Sequence, residues 1–171
     1  MDRRTEVATL VASISPSLAS IGANGSLAWD GTNMYYAGEI REGKRLLRTV
    51  NLTTGALSGD AGDANIGIIE AAGSNLYSVY RGVLYTVNKS TAATTRVGSA
   101  SAGFGLGVTE SGLAWDGTAM YLTGRTRDTP AATPDLLYTL NLTTGVATLV
   151  GQLNGSSINP KVLEMTFLPA E

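Results

Sequence analysis

Short runs of apolar and β-branched residues, separated by Gly, Asp and Asn, recur three times along this chain. Residues 27–35 (LAWDGTNMY) return as 113–121 (LAWDGTAMY), and 69–77 (IEAAGSNLY) is a divergent copy between them. A second run ending in Asn follows each copy, at 47–51, 84–88 and 137–141. Such short runs bounded by turn-forming residues predict β-strands, and no amphipathic helical period interrupts them.

Each copy predicts four strands, which we label A to D. The predicted A strands are 26–29, 66–71 and 112–115, and the B strands are 34–38, 76–80 and 120–124. The predicted C strands are 46–51, 83–88 and 136–141, and the D strands are 56–60, 93–98 and 146–151. Asp30-Gly31 and Asp116-Gly117 predict tight A–B turns, and Asn51, Asn88 and Asn141 predict C–D turns.

The repeat period indicates the architecture. The glycines of the first motif are 42 and 44 residues apart, in the range of propeller blades. We predict one all-β domain over 1–171, a small β-propeller of about four blades, with three complete blades at roughly 19–61, 62–98 and 99–151. A single D strand at 5–13 and a single A strand at 162–168 (VLEMTFL) would form the closing blade, unless a second chain completes the ring.

The repeat resembles a known class of proteins. GLAWDGTxMY, then LYTLNLTTG, then ATLVG is similar to the β-propeller repeats of bacterial secreted and surface proteins and of phage particles. The resemblance extends from about residue 5 to residue 168. It implies the fold and is nearly silent on activity, because such propellers serve as structural parts, adhesins, lectins and, in some cases, enzymes. It also implies a location on a virion or at the cell surface.

Composition narrows the range of functions. The chain has no Cys and no His, which removes disulfides, thiolate nucleophiles, zinc fingers and Ser-His-Asp triads. A net charge of −2 gives no case for nucleic-acid binding, and no apolar run is long enough to insert into a membrane. Residues 3–13 loosely resemble a secretory signal, but 6–11 match 145–150 and therefore favour a folded strand. We expect no cofactor.

Most candidate chemical groups have a structural interpretation. Asp30 and Asp116 recur in the turn register, and Trp29 and Trp115 are expected to pack between blades, although exposed aromatics would suit a lectin. Residues 59–65 (GDAGDAN) offer oxygen ligands to calcium without a recognised calcium-binding pattern, so we favour a connector and predict no metal site. A hydrolase would need carboxylates such as Asp63, Glu70 and Glu110 as acid and base.

Differences between the copies point to a binding surface. The B–C link is two residues long at 81–82 but longer at 39–45 and 125–135, and irregular connectors lie at 59–65, 98–111 and 151–161. Variable loops on a repeated scaffold are where binding is usually found. We therefore predict a non-catalytic structural or interaction module that forms homo-oligomers or binds other structural proteins or surface glycans. The predicted contact residues are Arg41, Lys44, Arg45, Phe104, Arg125 and Arg127.

Overall fold

The computed structural model describes residues 25–39, 45–99, 109–125 and 136–153, and this part of the chain is all-β. It contains three four-stranded antiparallel sheets, in each of which the strands follow one another in chain order. Sheet 1 comprises β1 (Ser26–Trp29), β2 (Met34–Glu39), β3 (Arg45–Val50) and β4 (Leu57–Gly62). Sheet 2 comprises β5 (Ile68–Ala72), β6 (Asn75–Tyr80), β7 (Val83–Val87) and β8 (Thr94–Ser99). Sheet 3 comprises β9 (Thr109–Trp115), β10 (Met120–Arg125), β11 (Leu136–Leu140) and β12 (Ala147–Gln152).

These twelve strands confirm the predicted A to D pattern in all three copies, with ends that differ by at most three residues. The predicted strands at 5–13 and 162–168 lie outside the described residues, as does the closing blade that depends on them. Among the described residues, no helix is long and apolar enough to cross a membrane.

Side-chain caps explain why the turns recur at fixed positions. The Asp30 carboxylate accepts the backbone N–H groups of Thr32 and Asn33, and Asp116 makes the same two bonds in the third copy. Gly31 and Gly117 follow these aspartates with φ of 92° and 98°, values that L side chains rarely adopt. The side chains of Asn51, Asn88 and Asn141 each cap the two N–H groups that follow in the C–D turns. The turn interpretation of these residues is confirmed.

Sheet 2 lies between the other two sheets, and apolar side chains are buried on both of its faces. Strand β1 lies beside β5, and β5 lies beside β9. Because side chains alternate along a strand, Ile69 and Ala71 join an apolar cluster with sheet 1. Ile68 and Ala72 point the other way, into a second cluster shared with sheet 3. The double-sided apolar pattern in the sequence therefore reflects a sheet packed between two others.

One buried hydroxyl holds the connector between sheets 1 and 2. Ser78 is fully buried in β6, where its Oγ accepts the backbone N–H of Gly67 at 2.8 Å and donates to the carbonyl of Asn65 at 3.3 Å. Strand β1 is tied to β5 in a similar way, since Ser26 Oγ accepts the N–H of Ile69 at 3.1 Å. These bonds satisfy backbone groups that would otherwise be costly to bury.

Replacing Ser78 tests this role. We expect Ser78→Ala to lower the free energy of unfolding by about 1–2 kcal/mol, because it leaves the Gly67 N–H without its acceptor. Urea unfolding followed by circular dichroism measures the change. Ser90→Ala provides a control, since Ser90 is exposed in a C–D turn and its cap uses its backbone N–H. Equal losses for the two variants would contradict the assigned role of Ser78.

Candidate functional site

The antiparallel order of the strands gives each sheet two different ends. The A–B turns (30–33, 73–74, 116–119) and the C–D turns (51–56, 88–93, 141–146) lie together at one end, which we call the turn end. The described residues that border the B–C links (Glu39 and Arg45, 80–83, Arg125 and Leu136) and the connectors between sheets (62–68, Ser99 and Thr109) lie at the opposite end, which we call the loop end. The strands therefore enter and leave the segments that vary between copies at the loop end.

The turn end is regular and carries an ion pair between sheets 1 and 2. Lys89 Nζ lies 2.6 Å from Asp30 Oδ2 and 5.7 Å from the centre of the Tyr35 ring. The bond from Lys89, followed by the N–H groups of Asn33 and Thr32, lowers the pKa of Asp30 from 3.8 to about 2, against the opposing effect of burial. The Asp30 carboxylate therefore links sheet 1 to sheet 2.

Arg45 occupies a similar position at the loop end. Its Nη1 donates to the carbonyl of Ile66 at 2.9 Å, and its Nη2 lies 3.2 Å from Glu39 Oε2. The guanidinium also lies 4.6 Å from the centre of the Tyr80 ring. With 17% of its side chain exposed, Arg45 is bound mainly to its own protein and joins sheet 1 to sheet 2.

Tyr80 carries a second guanidinium. Arg81 lies 5.1 Å from the centre of the same ring, so that both arginines contact one tyrosine. Arg81 and Gly82 have φ of 50° and 72°, as the two central residues of a type I′ hairpin turn require. Arg81 is exposed, and no ion pair engages it within the ranges that the structure describes. We call Arg45, Tyr80 and Arg81 the arginine–tyrosine cluster.

The predicted contact residues fall largely outside the described ranges. Arg41, Lys44, Phe104 and Arg127 are not described. Arg125 is the last residue of β10 and therefore lies at the loop end, where its backbone alone is described. Arg45 is the predicted contact residue whose side chain is placed. Tyr80 and Arg81 were not among the predicted contacts, although the Tyr-Arg-Gly sequence between two strands does indicate an arginine at the tip of a hairpin.

The candidate calcium and acid–base groups are engaged in other ways. The Asp63 carboxylate accepts the N–H of Asn65 at 2.9 Å, the Asn65 amide at 3.0 Å and the N–H of Thr94 at 3.2 Å. Burial raises the pKa of Asp63, but these hydrogen bonds outweigh it and leave the pKa lowered. Glu70 is half-buried and takes part in a polar interaction, and the side chain of Glu110 is not described. Within the described residues, no three acidic side chains are grouped to hold a metal.

The two tryptophans differ in their surroundings. Trp115 is partly buried against the cluster shared by sheets 2 and 3, as predicted. For Trp29 the prediction of packing between sheets is wrong, since 46% of the residue is exposed. The physical reason is its position, because Trp29 lies on the face of sheet 1 that points away from sheet 2.

The contacts of Arg45 change what its replacement should do. If Arg45 were only a surface contact residue, as the sequence predicts, alanine at this position would weaken partner binding and leave the melting temperature nearly unchanged. The structure instead predicts that Arg45→Ala lowers the free energy of unfolding by about 1–2 kcal/mol, because it removes a hydrogen bond between sheets and a cation–π contact. Thermal and urea unfolding measure the loss, and Arg96→Ala on the exposed part of β8 is the control. An unchanged free energy of unfolding would show that Arg45 does not stabilise the contact between sheets 1 and 2, and Arg45 would again be interpreted as a surface contact residue.

Comparison with known proteins gives no relative from which a function can be transferred. No protein-family model matches the chain, and neither the curated proteins nor the solved structures contain a match.

Proposed function

We propose that this protein is a non-catalytic β-propeller module of about four blades that binds another macromolecule through its loop end. It serves as a decoration, fibre or adhesion component of a phage particle or a bacterial surface. The resemblance of its repeat to propeller repeats of such proteins supports this location. Three consecutive four-stranded sheets whose first strands lie side by side support the propeller form.

The single observation that carries the binding function is the contrast between the two ends. At the turn end, polar side chains repeat from copy to copy, and their atoms are occupied by turn hydrogen bonds and by the Lys89–Asp30 pair. At the loop end, every B–C link differs from the others in length and sequence. The residues of these links are not needed to form the repeated strands, so they can serve in recognition.

The arginine–tyrosine cluster gives this surface its chemistry. Arg45 and Tyr80 are held between sheets 1 and 2, and they form a fixed base for the exposed Arg81. An arginine stacked on an aromatic ring keeps its N–H donors directed outward for a carboxylate. By sequence, Arg41, Lys44, Arg125 and Arg127 belong to the two longer predicted B–C links. The partner that fits is therefore a protein surface rich in carboxylates.

Binding to biotinylated poly-L-glutamate, used as a model of a carboxylate-rich surface, tests this proposal. We expect Arg81→Asn to weaken binding by about threefold, since exposed charge contacts contribute up to about 1 kcal/mol. Asn tolerates the positive φ at this position, so the turn is kept. Arg96→Asn, which removes the same charge from an exposed position in β8, should leave the affinity within error. Equal weakening by the two variants would overturn the loop end as the binding surface.

A glycan-binding lectin is the second candidate, and the exposure of Trp29 favours it. An indole ring with 46% of the residue exposed offers an apolar face for stacking on a sugar. A glycan array distinguishes the two functions. Specific hits that are lost in Trp29→Ala and kept in Arg81→Asn would establish the lectin and contradict the proposal above. An array without hits, together with binding to poly-L-glutamate, supports the proposal.

A further inference from the structure

The position at which the second strand of each sheet meets its B–C link carries a different charge in sheet 1. This position lies four residues after the tyrosine that each copy of the repeat contains, and it is Glu39 in sheet 1, Arg81 in sheet 2 and Arg125 in sheet 3. The strand pairing supports this alignment, because the residue two positions earlier is paired in each sheet with the equivalent leucine of the next strand (Leu47, Leu84, Leu137). A glutamate therefore stands in sheet 1 where the other two copies have an arginine.

Glu39 is in contact with the arginine–tyrosine cluster. It lies directly opposite Arg45 in the pairing of β2 with β3, and its Oε2 is 3.2 Å from Arg45 Nη2. The Glu39 side chain is 38% exposed. Arg45 contacts the ring of Tyr80, and Arg81 contacts the same ring. A negative charge is thus held beside the two positive charges of the cluster, where a bound anion would feel all three.

The effect of a fixed carboxylate on a bound anion depends on the charge of that anion. Coulomb energy is proportional to each of the two charges. A carboxylate carries one negative charge, whereas a phosphate monoester carries nearly two at neutral pH. Repulsion by Glu39 is therefore about twice as large for a phosphate as for a carboxylate. Guanidinium groups alone do not provide this distinction, because their paired N–H donors match both kinds of anion.

We propose that Glu39 is a specificity-determining residue of the loop end, and that it biases the site toward the carboxylates of a partner protein and against phosphate groups. The inference rests on the proposed function, because it assumes that the loop end binds anions through Arg81. It adds which class of anion the site selects and which residue makes the selection.

The structure places Glu39 close enough to act on a group bound at Arg81. The two residues are separated by one guanidinium and one aromatic ring, a separation comparable to the Debye length of about 10 Å in 0.1 M salt. Asp116 provides a comparison, since it is exposed and lies at the turn end. A six-residue strand such as β10 is about 20 Å long, so the charge of Asp116 is largely screened from the loop end.

Two biotinylated peptides of equal length measure the selectivity, one with several glutamates and the other with phosphoserine at the same positions. In about 0.1 M salt at neutral pH, we expect Glu39→Gln to raise the affinity for the glutamate peptide by about twofold. The affinity for the phosphoserine peptide should rise by about fourfold, because doubling a Coulomb energy squares the fold-change. Glutamine keeps an oxygen that can accept a hydrogen bond from Arg45. Circular dichroism checks that the variant is folded.

Asp116→Asn is the matched control, because it removes the same charge at the turn end. An asparagine oxygen can accept the two N–H groups of this turn, as the side chain of Asn51 does in a C–D turn. We expect the ratio of the two affinities to stay unchanged in this variant. Equal gains for both peptides in Glu39→Gln would overturn the proposal, because Glu39 would then only cover Arg45. A change of the ratio by the same factor in Asp116→Asn would also overturn it, since net charge would then explain the selectivity.

Arg81→Asn separates failure of this inference from failure of the proposed function. If the loop end is the binding surface, Arg81→Asn weakens binding of both peptides and Arg96→Asn does not. When that result is accompanied by an unchanged affinity ratio in Glu39→Gln, the loop end still binds and the selectivity assigned to Glu39 is wrong. If Arg81→Asn has no effect on either peptide, both the proposed function and this inference are wrong.

Discussion

Gly98→Ala should be one of the most damaging single-methyl changes in this protein, lowering the free energy of unfolding by about 2–3 kcal/mol. Gly98 lies in β8, where its backbone touches the C–D turn of sheet 3. A Cβ at this position would collide with the carbonyl oxygen of Thr144, and one on Gly145 would lie 2.7 Å from the Gly98 Cα. Because the obstacle is backbone, relief requires sheets 2 and 3 to move apart. Urea unfolding measures the loss.

Gly151→Ala is the matched control. Gly151 occupies the same position in the third repeat, opposite Leu137 as Gly98 is opposite Leu84, and an added Cβ there meets no atom within 4 Å. The first repeat already carries Ala61 at this position, opposite Leu47. We expect Gly151→Ala to change stability by less than about 0.5 kcal/mol. Equal changes in stability for the two variants would show that the β-propensity of alanine determines the effect. The close approach of sheets 2 and 3 would then play no part.

This pair of glycines marks what the sequence can and cannot predict. The repeat predicted all twelve of the described strands, because apolar alternation and Asp-Gly or Asn turns are local signals. The same repeat treats Gly98 and Gly151 as equivalent, since both follow the C–D Asn by ten residues. They differ through the neighbouring sheet, which lies against Gly98 and leaves open space around Gly151. Contacts between sheets are set by distant residues and leave no trace in a single repeat.

The loop end shows the same distinction. The contact residues were predicted from the longer links, and Arg45 was chosen because it belongs to one of them. Its use as a bridge depends on Ile66 and Tyr80, which are 21 and 35 positions away in the chain and come close when sheet 2 packs on sheet 1. Arg81 was not among the predicted contact residues because its link is short, and that short turn is what places the arginine beside Tyr80. Link length therefore separates the two ends of the strands, and it carries no information on which neighbours an individual side chain contacts.

Trp29 and Trp115 extend this argument to the candidate site. The two residues have identical local sequences, so the sequence predicts one environment for both. Trp115 has a preceding sheet to pack on, and the described strands give Trp29 none. The different exposure of the two tryptophans therefore follows from the place of each sheet among the three that the structure describes, which the local sequence does not encode.

Asp30→Ala is the second change from which we expect a large effect, a loss of about 2–3 kcal/mol. The carboxylate caps two backbone N–H groups of the A–B turn, at 3.0 Å and 2.7 Å, and its other oxygen holds Lys89 of sheet 2 at 2.6 Å. Loss of the cap costs about 1 kcal/mol. Loss of the ion pair adds a similar amount, because 7% of the Asp30 side chain and 26% of the Lys89 side chain are exposed. Thermal and urea unfolding at pH 7 measure the total.

The pH dependence of the free energy of unfolding separates the contribution of the Asp30 charge from that of the size and shape of its side chain. The pKa of Asp30 is lowered from 3.8 to about 2 in the folded protein, mainly by Lys89. A carboxyl group whose pKa falls on folding stabilises the folded state above its unfolded pKa and ceases to do so as the pH falls through its folded pKa. The stability gap between wild type and Asp30→Ala should therefore be constant above about pH 5 and narrow by about 1–2 kcal/mol toward pH 2.

Asp116→Ala completes this test, because Asp116 makes the same two backbone hydrogen bonds without a lysine partner in the described residues. Its loss at pH 7 should be smaller than that of Asp30→Ala, and the difference measures the bond between sheets 1 and 2. Hydrogen bonds from Ala119 and Thr118 also lower the pKa of Asp116, so its gap should narrow in acid as well, by a smaller amount. If the two variants lost the same stability and followed the same pH profile, Lys89 would contribute nothing measurable. Sheets 1 and 2 would then be held by apolar packing and by Ser26 and Arg45.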